Sequence, residues 1–506
     1  MRLRMWTLDV AREQCPSLDH LYEYAELTQE AGFDAIGLYL EHRFAYPSTP
    51  WSHGKGCVTP EMVKSLCSEF PSLQVVPFIN ILGHFEGMIY TEEGKRYREE
   101  LFAGMQACPC NPEFVSLAEG MIDDTLEAFD SQIVHIGGDE TWQLGKCEKC
   151  AAFVEGFDGD GKAELYGRHL GPLAQRVADA GRTPAVWGDM FLDHLDALEF
   201  MPKSTLIFDW QYFKGLGGST AKFTERGFEV VGCPTLQVYN APWLHVDKSE
   251  ENVREVSRDV HSLDLYGMCV TTWECGLMGA YDTLFPALRA CGAIVGDPDA
   301  PGLLSAYSAV SEQHGEWARL MGVELEKCGG VFAFSGHRDM LKSRVLMYSN
   351  PFLAWMHHGA ELAGPVGDSA LSVLDKATSV APGVAEKGVC IAVRGMIEFV
   401  RLADAAAQFY SDGEPESAIG QLTATRTVFD TMRRAAARTH ERIGGSLADV
   451  ERCKRASDHV DRVIVRLREY GRGQLGYLPA WEILTHPKFM PHDQGCWWIV
   501  NKWGNE

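Results

Sequence analysis

The sequence predicts an α/β chain, a (β/α)8 TIM barrel followed by a C-terminal mainly α-helical domain, and three observations carry that prediction. Over residues 1–300, short apolar runs alternate with amphipathic segments of helical period, the signature of βα units around a parallel sheet. These runs number about eight in about 270 residues, which matches the strand count and length of such a barrel. Beyond residue 300 the β-type runs stop and long helical patterns take over, as in 388–410, 421–443 and 450–470.

The chain opens with an apolar run over 3–8. A helix follows, in which Ser17 can cap the start, Leu18, Leu21, Tyr22 and Ala25 share one face at i, i+3, i+4 and i+7, and Gly32 can end the helix. A second strand is predicted at 35–40, and further strands at 73–82, 133–136, 185–187, 205–208, 229–231 and 267–271. The turn formers Gly296, Asp297, Pro298, Asp299, Pro301 and Gly302 mark a boundary between a barrel over 1–300 and a helical domain over 301–506. The last stretch, 474–506, is an aromatic tail in which Trp497, Trp498 and Trp503 predict packing against other structure.

Composition narrows the function. Lysine and arginine number 46 against 70 aspartates and glutamates, a formal charge of −24 that repels a phosphate backbone, so nucleic acid is excluded as a partner. The opening residues hold Asp9, Arg12 and Glu13 where a signal peptide would need an apolar core. No run of about 18 apolar residues follows, so no membrane span is expected. The 15 cysteines lack the regular framework of a small secreted domain. A cytoplasmic protein with reduced thiols is the expectation, and the helical domain could mediate a homodimer.

In a barrel of this kind the active site lies at the C-terminal ends of the strands. The fourth strand runs into His135, Ile136, Gly137, Gly138, Asp139 and Glu140, where two glycines let the chain turn and two carboxylates emerge together. Consecutive side chains on an extended chain point in different directions, so the pair is ill placed to act as acid and nucleophile about 5 Å apart. A substrate carrying a 2-acetamido group offers another division of labour. Its carbonyl oxygen attacks the anomeric carbon, Glu140 protonates the leaving oxygen and later activates water, and Asp139 holds the acetamido N–H. Two alternatives stay open: a glycosidase with its own carboxylate nucleophile, in which Glu274 or Asp189 would face Glu140, and a non-catalytic sugar-binding barrel.

The stretch from His135 to Glu140 resembles the strand-four signature His-x-Gly-Gly-Asp-Glu of glycoside hydrolase family 20, and the resemblance reaches other strands. Leu8-Asp9-Val10-Ala11-Arg12 is similar to the family's Leu-Asp-Val-x-Arg, which implies that Arg12 binds ring hydroxyls. Pro77-Phe78-Ile79-Asn80-Ile81-Leu82-Gly83-His84 is similar to the family's Pro-Glu-Ile-Asp-x-Pro-Gly-His, with departures at Phe78, Asn80 and Leu82, and it brings His84 into the site. Trp187 with Asp189, Trp210, Tyr239 with Asn240, and Trp273 with Glu274 each follow an apolar run, and aromatic faces suit the C–H faces of a pyranose. The resemblance implies that Tyr239 bonds the acetamido oxygen and that Glu274 binds outer hydroxyls. His135, within the signature, joins the substrate-binding set.

The likeness is closest to the branch that begins directly with the barrel and lacks an N-terminal β-domain. It implies an exo-acting β-N-acetylhexosaminidase that hydrolyses terminal non-reducing β-linked N-acetylglucosamine or N-acetylgalactosamine. The mechanism implied is retaining, through an oxazolinium, and needs no cofactor. The substrate would be an amino-sugar oligosaccharide or a glycoconjugate.

One further pattern stands apart from this chemistry. Cys147 and Cys150 form a C-x-x-C just after the carboxylate pair, and Cys108 and Cys110 lie after the third strand. Adjacent barrel loops could gather the four sulfurs around a structural zinc ion, with reduced surface thiols as the alternative.

Overall fold

Each predicted run becomes a strand of one parallel sheet that closes on itself. The computed structural model describes residues 1–474 apart from 12–14, 54–55, 101–103, 240, 274–279, 335–340, 343–344, 347–349 and 444–447. The strands are β1 (Leu3–Asp9), β2 (Ala35–Tyr39), β3 (Gln74–Phe78), β4 (Ile133–His135), β5 (Thr183–Trp187), β6 (Leu206–Trp210), β7 (Glu229–Cys233), β8 (Thr235–Leu236) and β9 (Gly267–Thr272). Neighbours from β1 to β7 pair in chain order, and β1 pairs in parallel with β9 to close the ring. Pro234, which has no N–H to give a ladder, separates β7 from the two-residue β8, and both pair with β9. Together they fill one position, so the barrel has the eight staves that the sequence predicts.

Alternation along the strands sorts side chains into two cores. Met5, Tyr39, Phe78, Trp187, Phe208 and Cys233 point into the barrel. Trp6, Ile36, Val75, Val186, Ile207 and Val270 point out and pack beneath the surrounding helices. Gly37 shows how tight the interior is, because a β-carbon there would lie 2.6 Å from the Phe78 ring.

Two sequence expectations shift. The apolar run 73–82 gives a strand only to Phe78, after which Ile79, Ile81 and Leu82 are buried in the loop, and apolarity alone does not separate a covered loop from a strand. In the first helix, Leu18–Glu30, Ser17 is the cap as expected and accepts the His20 N–H at 3.3 Å. Its buried face centres on His20, Leu21, Tyr24, Ala25, Leu27 and Thr28, leaving Leu18 and Tyr22 half-buried. Thr28 draws the helix round by accepting the Trp6 indole N–H at 2.8 Å.

After β9 every described element is helical, including Val384–Ser411, Pro415–Ile443 and Ala448–Gly471, which fall where helical period predicts them. The turn-rich segment after Gly296 is tied to the helix Val246–Ser262: Arg254 donates to the Pro298 carbonyl at 2.6 Å and Glu250 accepts the Leu303 N–H at 2.8 Å. Trp243 and Trp317 meet at 4.5 Å between ring centres, and one buried core runs from Trp6 to Leu467. The aromatic tail with Trp497, Trp498 and Trp503 lies outside the described residues. Among the described residues no helix is long and apolar enough to cross a membrane.

Filling the space at Gly37 tests this packing. Gly37→Ala should lower stability by about 1–3 kcal/mol, since Phe78 cannot yield without disturbing its neighbours. Urea denaturation measures it, and an unchanged midpoint would show that the barrel interior is looser than the geometry indicates.

Candidate active site at the C-terminal mouth of the barrel

The turn leaving β4 is built by its backbone. His135 is fully buried, and its Nδ1 accepts the Gly137 N–H at 3.1 Å, while the Gly137 carbonyl accepts the Trp187 N–H at 3.1 Å. Gly137 and Gly138 sit at φ +76° and +98°, and β-carbons there would approach the Ile79 carbonyl to 2.9 Å and the Tyr166 hydroxyl to 2.7 Å. That hydroxyl donates to the Gly138 carbonyl at 2.6 Å. Only glycine meets both demands.

The next two residues supply the charge. Asp139 Oδ2 and Glu140 Oε2 each lie 3.2 Å from His84 Nε2. Neighbours on an extended chain would diverge, as the sequence reading assumes. Glu140 is instead at φ +48°, a left-handed conformation that swings its carboxylate back toward that of Asp139. His84 at φ +47° and Glu41 at φ +41° are bent the same way in the segments that leave β3 and β2, so three of the four described non-glycine residues at positive φ lie at this mouth. The two carboxylates retain 11% and 17% side-chain exposure, against 3% for His84, so they stay reachable at the rim of a buried histidine.

Asp189, just past β5, anchors the turn from the other side. Its carboxylate accepts the Glu140 N–H at 2.9 Å and the Trp210 indole N–H at 3.3 Å. Removal from water, then the negative charge of Asp139, push its pKa up to about 8. Burial alone pushes His135 well below the ordinary histidine range, so it stays neutral. Its place is the barrel interior beneath the mouth, stacked on Phe78 at 4.3 Å and flanked by Trp187 and Phe208.

Four aromatics named from the sequence come together here. Trp187 lies 6.0 Å from Trp273, whose indole N–H donates to the Tyr212 hydroxyl at 2.7 Å. Tyr212 in turn meets Trp210 at 4.9 Å and Tyr239 at 6.3 Å. Arg12, Glu274 and Asn240 lie outside the described residues. Sequence reasoning missed Tyr212 and also Tyr39, which packs edge-on against Trp273 at 4.9 Å. Both stand at or just past a strand end, which is the signal that singled out the others. The departures on the third strand have packing roles: Phe78 fills the barrel, Asn80 donates to the Tyr39 hydroxyl at 3.3 Å, and Leu82 is buried. Beside Glu140 opens a cavity of about 380 Å³, lined also by Trp142, Lys162, Asp189, His194 and Trp210.

The closed parallel barrel thus carries its paired carboxylates on the turn after the fourth strand, at the mouth where barrel sites lie. Residues 72–273 match the family model described as glycosyl hydrolase family 20, catalytic domain. A curated relative, Hexosaminidase D of Bos taurus, is 26% identical over 184 residues, covering 35% of this chain and 53% of the relative. The chain therefore spans about half the length of that relative. Among solved structures, a β-N-acetylhexosaminidase from Bacteroides fragilis matches at TM-score 0.47 and 18% identity, over 57% of this chain and 65% of that one. A chitobiase from Flavobacterium johnsoniae matches at TM-score 0.49 and 12% identity, over 100% of this chain and 78% of that one.

The raised Asp189 pKa gives stability a pH dependence of known sign. The folded state holds a proton on Asp189 that the unfolded chain releases above its ordinary carboxylate pKa, so this contribution is complete below about pH 4 and is lost as pH rises toward about 8. Asp189→Asn keeps an acceptor for the Glu140 N–H and cannot titrate. Thermal midpoints measured across that window should fall less with pH in the variant than in the parent. Parallel profiles would refute the raised pKa.

Proposed function

We propose that this protein is an exo-acting β-N-acetylhexosaminidase that removes terminal non-reducing β-linked N-acetylglucosamine or N-acetylgalactosamine, with retention, by a substrate-assisted route. The observation that carries the reading is the meeting of Asp139 and Glu140 on His84, inside the segment that matches the family's catalytic domain. The sugar's acetamido oxygen attacks the anomeric carbon and closes an oxazolinium ring while Glu140 gives its proton to the leaving oxygen. Glu140 then takes a proton from water, which opens the ring from the same face.

Asp139 Oδ1 is buried with no hydrogen-bond partner among the described residues, and a buried acceptor left so is costly, which favours a ligand N–H there. The Trp187 indole N–H is likewise buried without a partner among the described residues, ready for an acceptor on the sugar. Tyr39, Tyr212, Tyr239 and Trp273 would wall the ring, with Arg12 and Glu274 binding hydroxyls as the family resemblance implies. The substrate class is an amino-sugar oligosaccharide or glycoconjugate, in keeping with the names of the relatives. A reducing, cytoplasmic setting belongs to the same reading, and the described cysteines are free thiols.

A carboxylate nucleophile is the competing reading, and Asp189 is poorly suited to that part. Both its oxygens are engaged and its raised pKa keeps it protonated near neutral pH. Hydrolysis of paired aryl β-glycosides decides between the two. The N-acetylglucosaminide should be cleaved and the glucoside, with hydroxyl for acetamido, should be nearly inert. Glu140→Gln should lower kcat/KM by about 10²–10⁴-fold. Equal cleavage of both glycosides, or a Glu140→Gln variant as fast as the parent, would overturn the assignment.

A further inference from the structure

The segments that leave β3 and β4 meet a second time, away from the carboxylate pair, at a cluster of soft ligands. Cys108 Sγ lies 3.5 Å from Cys147 Sγ and 3.5 Å from Cys150 Sγ, and Cys150 Sγ lies 3.3 Å from Glu99 Oε2. One ligand atom from each of the four residues falls within 4.8 Å of all the others. Bonds of about 2.3 Å from zinc to sulfur put the edges of a tetrahedron at about 3.8 Å, close to these separations. A disulfide would need the sulfurs at about 2.0 Å.

The surroundings hold these groups in place. Glu99 Oε1 accepts the N–H groups of Lys146 and Cys147 at 2.8 and 2.9 Å, which leaves Oε2 to face the thiols. Cys147 caps the helix Glu148–Glu155, and its Sγ accepts the Cys150 N–H at 3.4 Å, which fixes the two sulfurs on the first turn of that helix. An antiparallel bridge between Arg98 and Ala107 holds the two segments together, with Glu99 and Cys108 each one residue past it on its own segment. Glu99, Cys108 and Cys150 are buried, and among the described residues no lysine, arginine or histidine is ion-paired with Glu99. A buried carboxylate beside three thiols, with no ion-paired cation among the described residues, is an unfavourable arrangement unless a metal ion completes it. A surface cavity of about 610 Å³, lined by Glu99, Cys108 and Cys147, gives an ion a route in.

We propose that Glu99, Cys108, Cys147 and Cys150 bind one zinc ion as a closed structural site. The spacing of the cysteines nominates Cys110 as the fourth ligand, whereas the geometry puts Glu99 in that place and leaves Cys110 half-buried outside the set. The ion would tie the segment after β3 to the one after β4, a few residues past Asp139 and Glu140. It takes no part in the chemistry.

The test is metal content of the full chain purified without chelator, followed by competition with a chromogenic chelator. The parent should carry about one zinc per chain, Cys147→Ser and Cys150→Ser should each lose it, and Cys110→Ser should keep it. Glu99→Gln, which preserves an acceptor for the two N–H groups, should weaken zinc binding at least about tenfold. Should the serine variants fail to fold, cobalt loading of the parent still decides, through the sulfur-to-cobalt charge-transfer band and the intense visible bands of a tetrahedral ion. A reduced parent that takes up no zinc, or a parent whose mass shows a disulfide among these cysteines, would overturn the site. Loss of zinc from Cys110→Ser as complete as from Cys147→Ser would overturn the assignment of Glu99. None of these readouts uses activity, so failure here leaves the hydrolytic reading standing.

Discussion

Two consecutive carboxylates held against one histidine set the terms for the rest of this molecule. Asp139 and Glu140 carry like charge, sit at the edge of the buried interior and are fixed by a turn that most residues could not adopt. Each surrounding feature offsets part of that cost. His84 lies within reach of both, Asp189 ties down the Glu140 backbone and takes up a proton, and Tyr166 and His135 satisfy the turn's polar groups from below.

The support beneath this turn is aromatic, not ionic. His135 is neutral and stacked among Phe78, Trp187 and Phe208, so the floor of the mouth resists compression without adding charge to a site already rich in it. Positions where the family resemblance would place acids on the third strand hold Phe78 and Asn80, which pack the barrel and orient Tyr39. The helices beyond β9 share one buried core with the barrel, through contacts such as that between Trp243 and Trp317.

The barrel was legible in the sequence because alternation of period two and helical period are both strong over 1–300; the strand ends then pointed to Asp139, Glu140, Trp187 and Trp210, and the family resemblance to His84. What escaped was whatever depends on tertiary packing or on a single dihedral. The left-handed Glu140 that brings the pair together leaves no mark in composition, and Glu99 lies 48 residues before Cys147 without a motif to link them. Tyr212 hid two residues past a strand end, and His135, read as a sugar contact, proved to lie in the core beneath the turn.

The central claim is that the sugar's own amide, poised by Asp139, performs the displacement while Glu140 handles the proton. A series of aryl β-glucosaminides bearing acetyl, fluoroacetyl, difluoroacetyl and trifluoroacetyl groups on nitrogen tests it most directly, because each fluorine weakens the carbonyl oxygen as a nucleophile and hardly alters its size. The account predicts a steady fall of kcat/KM along the series. A flat profile would mean that the amide is only a handle for binding and that some other group makes the attack.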